Sequence, residues 1–495
     1  MKNTIIGAIL MVGAIVALIV TGHLNILLAI FMIGLVICFH EFGHFLLARI
    51  NGVTVKEFSI GLGPRLITWK MRGTRWSLKL LPFGGSCLML GDDEPLTTTK
   101  EDELDEKKDE AEEDGKKDAE ASEDAEAEKK SELPKDEEGC SFASKNVWQR
   151  ISIIFAGPFF NFILAFLLAC IILGSIGYDP AIVTSVSDEV AEKTGLSVGD
   201  TITEYEDHTI RIGREVALYE TLDGVPKTVT ITYEHNGESF TKTYDSVYVK
   251  RYLCGIGYSY YQDGTVAPMK LTDAVGAAAE AGLKVGDEVI RFNGTEIATA
   301  ADFQKYVSEH PIGADPVEFV VKRDGQELTF TVTPILTEEN QLGFGYNVDY
   351  REKVGPIGVI KYGANEVGYW IKATIKSLGY MLKGKASRKD VGGAVRVVSE
   401  MSNVVEESYE TDGTFYAFLN LINWAILLSA NLGVMNLLPI PALDGGRLLF
   451  LFVEAIRGKK ANPKVEAVVT LIGFILLMLL MVLILFNDIS NVFGG

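Results

Sequence analysis

Long apolar runs separated by polar stretches dominate the 495-residue chain. The first two runs are split only by residues 21–25, and together they exceed the about 20 residues that one helix needs to cross a bilayer. They therefore predict a tight hairpin of two helices. The pattern as a whole predicts a polytopic α-helical membrane protein with four core transmembrane helices and an extra N-terminal one. The five runs are Ile5–Val20, Leu24–Ile50, Ile151–Ile176, Phe415–Leu438 and Val465–Phe486.

The first run, Ile5–Val20, has a second interpretation as a signal peptide. Only Lys2 precedes it, another apolar run follows at once, and no convincing small-residue cleavage site separates the two. A membrane-spanning helix is favoured on these criteria, and removal of the run stays open as the alternative.

A His-Glu-x-x-His pattern, His40-Glu41-Phe42-Gly43-His44, lies near the end of the second run. Positions i and i+4 share one helix face, so His40 and His44 can bind one zinc ion, with Glu41 beside it to accept a proton from water. Imidazole and carboxylate groups are costly inside a bilayer, so the cluster predicts a functional site. The alternative is a pair of interfacial histidines bonded to water or backbone.

Zinc held by two histidines needs a third protein ligand and an open position for water. Asp444 is the best candidate, because it is ionisable, follows the fourth apolar run, and lies among Pro and Gly residues that interrupt a helix. Asn436 precedes it and can hydrogen-bond a substrate carbonyl or its oxyanion. The alternative for Pro439–Gly446 is an ordinary loop at the membrane surface.

Alternating apolar and polar residues in Gly52–Gly91 predict a β-hairpin that turns at Arg72–Thr74. Pro82-Phe83-Gly84-Gly85 interrupts the second strand. The hairpin can re-enter the membrane beside the catalytic helix, where protein or water satisfies its backbone, and a substrate segment can pair with its edge. An ordinary interfacial hairpin is the alternative.

Acidity is concentrated in residues 92–139, which contain 23 acidic residues and 8 lysines, whereas the whole chain has a net charge of −20. This tract has few apolar residues and predicts a disordered insert. A basic nucleic-acid footprint is absent. The five cysteines are scattered without a CxxC pair, so neither a disulfide framework nor a cysteine metal site is indicated.

A polar region between the third and fourth runs contains an internal repeat. Thr194–Ile202 matches Ala281–Val289, and Cys254–Tyr258 matches Leu342–Tyr346, at offsets of 87 and 88 residues. Repeats of this period predict tandem domains. The pattern A-G-L-x-x-G-D-x-I/V before a β-rich tail resembles the PDZ domain, whose groove binds an extended peptide or a C-terminal tail by strand addition.

Two further segments have local signatures. Ala156–Asn161 places Gly-Pro inside the third run, which favours close helix packing, and Asn161 needs a polar partner, expected from the catalytic helix. Apolar and lysine residues are interleaved in Lys353–Ser408, which predicts helices that lie on the membrane surface or pack by one amphipathic face.

The positive-inside rule sets the orientation. Basic residues follow the His-Glu-x-x-His run, precede the third run and lie between the last two runs, whereas the opposite flanks are nearly free of them. The zinc site and the acidic insert are therefore predicted on the cytoplasmic side and the PDZ-like domains outside. The two candidate zinc-binding segments reach the same membrane side, which supports a three-ligand site.

Taken together, these motifs resemble the site-2 protease family of intramembrane zinc metalloproteases, and within it the bacterial regulator-of-sigma-E protease branch. The chain departs from the family in its extra first helix, its acidic insert, and Gly393-Ala394 where relatives usually have Gly-Pro. The matching stretches, in family order, are His40–His44, Phe58–Pro64, Pro82–Gly85, Ala156–Asn161, the PDZ-like repeats and Asn436–Gly446.

The resemblance implies a role for each matching position. His40, His44 and Asp444 would bind Zn²⁺, Glu41 would be the catalytic base, and Asn436 would be an active-site residue. Residues of the re-entrant β-loop would contact substrate, and these are Phe58, Gly61, Gly63, Gly84 and Gly85.

The resemblance implies zinc-dependent cleavage of single-pass membrane proteins within or near their transmembrane segments, in a bacterial cytoplasmic membrane. By the same resemblance, anti-sigma factors already cut by another protease, or remnant signal peptides, would be substrates. The alternatives are a catalytically idle scaffold that recruits partners through its PDZ-like domains, and a transporter or zinc channel. The predicted segments are 1–22, 23–51 (catalytic helix), 52–91 (β-loop), 92–139 (insert), 140–177, 178–262 and 263–350 (PDZ-like), 351–414 (interfacial), 415–446 and 447–495.

Overall fold

The computed structural model describes residues 13, 24–92, 140–258, 267–347, 351–385, 392–460 and 462–493. The chain divides into a helical unit, residues 1–178 with 351–495, and a β-rich unit, residues 179–350. The predicted N-terminal helix and nearly all of the acidic insert lie outside the described residues.

The described helices are α1 (Leu24–Ile50), α2 (Val147–Ile176), α3 (Asp188–Thr194), α4 (Gly213–Asp223), α5 (Ala277–Ala281), α6 (Ala300–Glu309), α7 (Pro356–Leu382), α8 (Ala394–Thr411), α9 (Thr414–Leu437), α10 (Asp444–Arg457) and α11 (Pro463–Phe493). Four of them are long and apolar enough to cross a membrane, namely α1, α2, α9 and the Val465–Asp488 part of α11.

The described strands are β1 (Val55–Met71), β2 (Thr74–Met89), β3 (Val183–Val186), β4 (Thr201–Tyr205), β5 (His208–Thr209), β6 (Thr228–His235), β7 (Glu238–Asp245), β8 (Val247–Leu253), β9 (Ile256–Tyr258), β10 (Leu271–Ala274), β11 (Glu288–Phe292), β12 (Thr295–Glu296), β13 (Val317–Arg323), β14 (Gln326–Val332), β15 (Ile335–Gln341) and β16 (Phe344–Tyr346). Of these, β1 and β2 belong to the helical unit.

The hairpin of β1 and β2 folds back on itself. Residues 57–60 of β1 pair with 75–78 of β2 on one side and with 85–88 of β2 on the other, while 67–70 pair outside 75–78. The result is a curled sheet whose outer segments are 85–88 and 67–70. Phe45 of α1 anchors it, because its ring lies 5.4 Å from Phe58 and 5.2 Å from Trp76.

The two ends of the acidic insert are held beside each other by the backbone. The Phe142 N–H donates to the Leu90 carbonyl at 2.7 Å, and the Thr54 N–H donates to the Cys140 carbonyl at 2.9 Å. Leu90 and Cys140, on the two sides of this tract, are therefore both held beside Thr54, at the start of the β1–β2 sheet.

The β-rich unit contains two similar four-stranded sheets, ordered β5-β4-β6-β7 and β12-β11-β13-β14. The closing strands of the two sequence repeats are exchanged between them. β9, from the first repeat, pairs with β10, whereas β16, from the second repeat, pairs with β3. Accordingly, Leu342 and Phe344 belong to the core around β4 and β6, and Cys254 belongs to the core around β11 and β13.

Candidate metalloprotease site

The motif on α1 points into the interior of the helical unit. His40 and His44 are buried, and their Nε2 atoms lie 3.3 Å apart. The Oδ2 atom of Asp444 lies 3.1 Å from His40 Nε2 and 3.4 Å from His44 Nε2. Two segments separated by about 400 residues thus bring three ligand-type atoms to one point.

The spacing of these atoms suits zinc. Zinc bonds to His nitrogen and to carboxylate oxygen at about 2.0–2.2 Å, so neighbouring ligands of a tetrahedral ion lie about 3.4 Å apart. The three observed distances, 3.1 to 3.4 Å, match that value. Asp444 Oδ2 is also buried and receives no hydrogen bond. A cation between the three atoms would satisfy this orphaned oxygen, so the residues fit a zinc ion.

The second nitrogen of each histidine has a partner. The Nδ1–H of His44 donates to the Ile153 carbonyl at 2.9 Å, which leaves Nε2 free as a ligand. His40 Nδ1 lies 3.3 Å from the side-chain nitrogen of Asn161. The side-chain oxygen of Asn161 is buried and has no hydrogen-bond partner. A half-turn of this amide gives His40 the acceptor that a metal-binding tautomer requires. The polar partner expected for Asn161 is therefore on the catalytic helix.

Helix α2 approaches the histidines without a side chain in between. A Cβ atom on Gly157 would lie 2.3 Å from His44 Nε2 and 2.9 Å from His40 Cε1, and one on Gly43 would lie 2.4 Å from the Ala156 carbonyl oxygen. All three distances are well below van der Waals contact. The two helices can therefore cross at this depth only because both positions are glycine.

The carboxylate of Glu41 is directed toward the β1–β2 sheet. A Cβ on Gly85 would lie 2.8 Å from Glu41 Cγ, and the backbone of Cys87 hydrogen-bonds the Glu41 carboxylate. Glu41 thus lies between the ligand cluster and outer segment 85–88. The amide nitrogen of Asn436 lies 3.3 Å from His40 Nε2, so α9 adds a polar group beside the ligand cluster.

The residues predicted to contact substrate fall into three places. Gly84 and Gly85 lie in the stretch beside Glu41. Gly61 and Gly63 form the irregular bend of β1, each with φ +91°. Phe58 is 2% exposed and packs against Phe45 and Trp76, which places its side chain in the core under the sheet.

Asp444 is presented by a tight loop between α9 and α10. The Leu443 N–H donates to the Ile440 carbonyl, and Asp444 is the first residue of α10. A Cβ on Gly445 would lie 2.1 Å from the Leu438 carbonyl oxygen. Glycine after Asp444 therefore lets the loop close on the end of α9 and aims the carboxylate back at α1.

The sequence model for peptidase family M50 matches residues 28–480, which is most of the chain. The chain belongs to peptidase family M50. It is a zinc metalloprotease, as the sequence predicted, and the predicted resemblance to the site-2 protease family is confirmed.

Curated relatives of this M50 chain match it over nearly its whole length. "Zinc metalloprotease RasP" of Bacillus licheniformis is 30% identical, covering 95% of this chain and 100% of the relative. "Regulator of sigma-W protease RasP" of Bacillus subtilis is also 30% identical, covering 94% and 98%. "Regulator of sigma-E protease RseP" of Salmonella typhimurium is 26% identical, again covering 94% and 98%.

Sequence reasoning about this M50 chain missed the groups that support the Asp444 loop. Arg447, three residues after Asp444, forms a bidentate ion pair with Asp92, and Glu454 pairs with Arg150. Arg447 and Glu454 are seven residues apart and therefore share one face of α10. This arrangement is visible only when 444–457 is recognised as a separate helix.

Proposed function

We propose that this M50 chain is an intramembrane endopeptidase in which His40, His44 and Asp444 hold the zinc ion and Glu41 is the general base. One observation carries the proposal. Three ligand-type atoms lie 3.1 to 3.4 Å apart, two of them belong to α1, which is apolar enough to cross a membrane, and the carboxylate of Glu41 lies next to them. Ionisable groups at such a place are costly unless they perform a function.

The chemistry follows from the residues around the cluster. Zinc, when bound, activates a water molecule and polarises the scissile carbonyl. Glu41 lies beside the ligand atoms, where it can accept a proton from water and pass it to the leaving amine. The Asn436 amide nitrogen lies 3.3 Å from His40 Nε2, the proposed ligand atom, and from this position it can donate to the developing oxyanion.

Substrate would reach Glu41 as an extended strand. A transmembrane helix already satisfies its own peptide groups, so a substrate must unwind before its carbonyl can be attacked. Outer segment 85–88 pairs on one side with 57–60 and lies next to Glu41. We propose that an unwound substrate adds to this segment by strand pairing, with Gly84 and Gly85 leaving space for its backbone.

The β-rich unit is proposed to consist of two PDZ-like domains that sample the outer part of a substrate. Strand β16 pairs on one side with β3, and a cavity of about 820 Å³ lies between it and the end of α4. Such a groove accepts an extended peptide or excludes a bulky domain. Substrates of the anti-sigma-factor type, suggested by the names of the relatives, would then be admitted after an earlier cut.

Charge supports an orientation with the ligand cluster toward the cytoplasm and the β-rich unit outside. Basic residues flank α1 and α2 on the side of the cluster, and they recur between α9 and α11. A bacterial cytoplasmic membrane is the proposed location.

The test is Glu41→Gln in the full-length protein, reconstituted with a single-pass membrane substrate that lacks its outer domain. We expect cleavage to fall by at least about 10²-fold, the contribution typical of a general base, while bound zinc stays at wild-type stoichiometry. His40→Ala should lose both, and Glu280→Gln, at an exposed position of the β-rich unit, should lose neither. Unchanged cleavage by Glu41→Gln would exclude the proposed mechanism.

A further inference from the structure

Helix α10 has an apolar face that no described part of the chain covers. Leu449, Phe452, Val453 and Ile456 are 50%, 45%, 40% and 87% exposed. Their spacing of three, four and seven residues places them on one side of the helix. Four large apolar side chains in contact with water would be unfavourable, so something covers this face in the working protein.

The other sides of α10 are already occupied. Leu448 and Leu451 are buried in a core shared with Ala48 and Ile153. Arg447 and Glu454 are engaged in their ion pairs with Asp92 and Arg150. The exposed apolar face is therefore not the result of a helix that is loosely attached. It is the remaining surface of a helix fixed on its other sides.

The position of α10 between two spanning helices decides which environment it meets. The end of α9 and the start of α11 lie at the same membrane face, if both helices span the membrane as proposed. The 14 residues of α10 are about 21 Å long, too short to cross the about 30 Å hydrocarbon core. The helix must then lie along the membrane surface, at the depth where Asp444 begins it.

Charge at the end of α10 selects the partner. Arg457, Lys459 and Lys460 are exposed directly after the apolar face, and neither Arg457 nor Lys459 has an ion-pair partner within the described part of the chain. A second copy docked symmetrically on this face would bring these cations together. A bilayer with anionic headgroups instead accepts the apolar side chains and attracts the cations.

We infer that the exposed face of α10 is a docking surface for anionic phospholipid in the membrane leaflet next to the zinc site. The apolar side chains enter the boundary between headgroups and acyl chains, and Arg457 and Lys459 contact lipid phosphates. The lipid thereby holds the helix whose first residue is Asp444. The inference rests on the proposed membrane topology and does not require catalysis.

The first experiment measures depth. A fluorophore is attached at Val453→Cys in the full-length chain, with Glu41→Gln and with the native cysteines replaced by Ala, in nanodiscs of phosphatidylcholine and phosphatidylglycerol. Shallow spin-labelled lipid should quench it and aqueous iodide should not. The matched control, Val198→Cys on the β-rich unit, is also an exposed apolar position and should respond only to iodide.

The second experiment measures lipid choice. At equal mole fraction, spin-labelled phosphatidylglycerol should quench the label at 453 at least about two-fold more effectively than spin-labelled phosphatidylcholine, because one basic side chain near the surface favours anionic lipid by up to about five-fold. Arg457→Gln with Lys459→Gln should abolish the excess. Lys305→Gln with Lys322→Gln, on the β-rich unit, should preserve it.

The outcomes separate the occupants. Quenching by iodide alone shows a face in water, and protection from both quenchers shows a face covered by protein, such as a second copy or residues 1–22. Either result overturns the inference, as does a phosphatidylglycerol excess that survives Arg457→Gln with Lys459→Gln. Because no step needs turnover, a protein that fails the Glu41 test can still pass this one.

Discussion

Gly157 is the position where one methyl group should disable the metal site without touching a ligand. It lies on α2, and a Cβ added there would be 2.3 Å from His44 Nε2, 2.5 Å from His44 Cε1 and 2.9 Å from His40 Cε1. Ordinary contacts begin at about 3.5 Å. Gly157→Ala therefore requires the histidine ring or the helix to move by more than about 1 Å.

Movement of the histidine ring is incompatible with intact zinc binding. Ligand distances in a functional zinc site are held to about 0.2 Å, so a shift of about 1 Å removes His44 from the coordination sphere. Disturbing even the groups that orient such ligands costs about 10- to 100-fold in metal affinity, and we expect at least that loss. If α2 moves instead, overpacking should destabilise the protein by about 1–3 kcal/mol.

The matched control is Gly174→Ala on the same helix, where an added Cβ meets nothing within 4 Å. It should keep its zinc and gain slightly in stability, since Ala is favoured over Gly within a helix by about 1 kcal/mol. The assay measures zinc per protein after dialysis against a chelator series, together with thermal unfolding and cleavage of the membrane substrate. Wild-type zinc retention, cleavage and thermal stability in Gly157→Ala would together refute the close approach of α2 to the histidines.

Two other changes test the surroundings of the site. Gly473→Leu should lower zinc affinity, because a Cβ at this position of α11 would lie 2.4 Å from Pro441, in the loop that presents Asp444. Gly379→Leu, where an added Cβ meets nothing within 4 Å, should leave zinc affinity unchanged. Zinc retention by both variants would contradict this coupling of α11 to the loop. Deleting Thr97–Leu133 should leave zinc content and cleavage unchanged, because backbone hydrogen bonds already hold the residues on the two sides of the insert next to each other. Loss of folded protein would show that the insert is structural.

Local periodicity is why much of the site could be predicted from sequence. The i, i+4 spacing fixes His40 and His44 on one face as soon as the segment is helical, and nothing distant can change that. Asp444 was predicted by chemistry, since two histidines leave a ligand position to fill. The close passage of Gly157 could not be predicted, because it depends on how two helices cross. Phe58 illustrates the same limit, since its motif suggested substrate contact while the curl of the sheet buries it.

The exchange of strands in the β-rich unit could not be predicted from the sequence, and the reason is physical. Cys254–Tyr258 and Leu342–Tyr346 have the same pattern, so either could complete either sheet by its own hydrogen bonds. The choice is made by the connections that precede them. Strands β8 and β15 are antiparallel partners, with Val247 opposite Gln341 at one end and Leu253 opposite Ile335 at the other. Each strand therefore crosses to the other repeat, so that β9, after β8, pairs in the second half and β16, after β15, pairs in the first half.

This exchange affects how the β-rich unit would recognise a substrate. The strand bordering the cavity beside α4 comes from the second repeat, whereas α4 comes from the first. Neither repeat alone supplies all the residues of this cavity, and each contributes a strand to the core of the other, so removing one repeat should disrupt the core of the other. If the β-rich unit selects substrates as proposed, both repeats together would determine that selectivity, and substitutions in residues 342–346 should alter peptide binding by the first half of the unit.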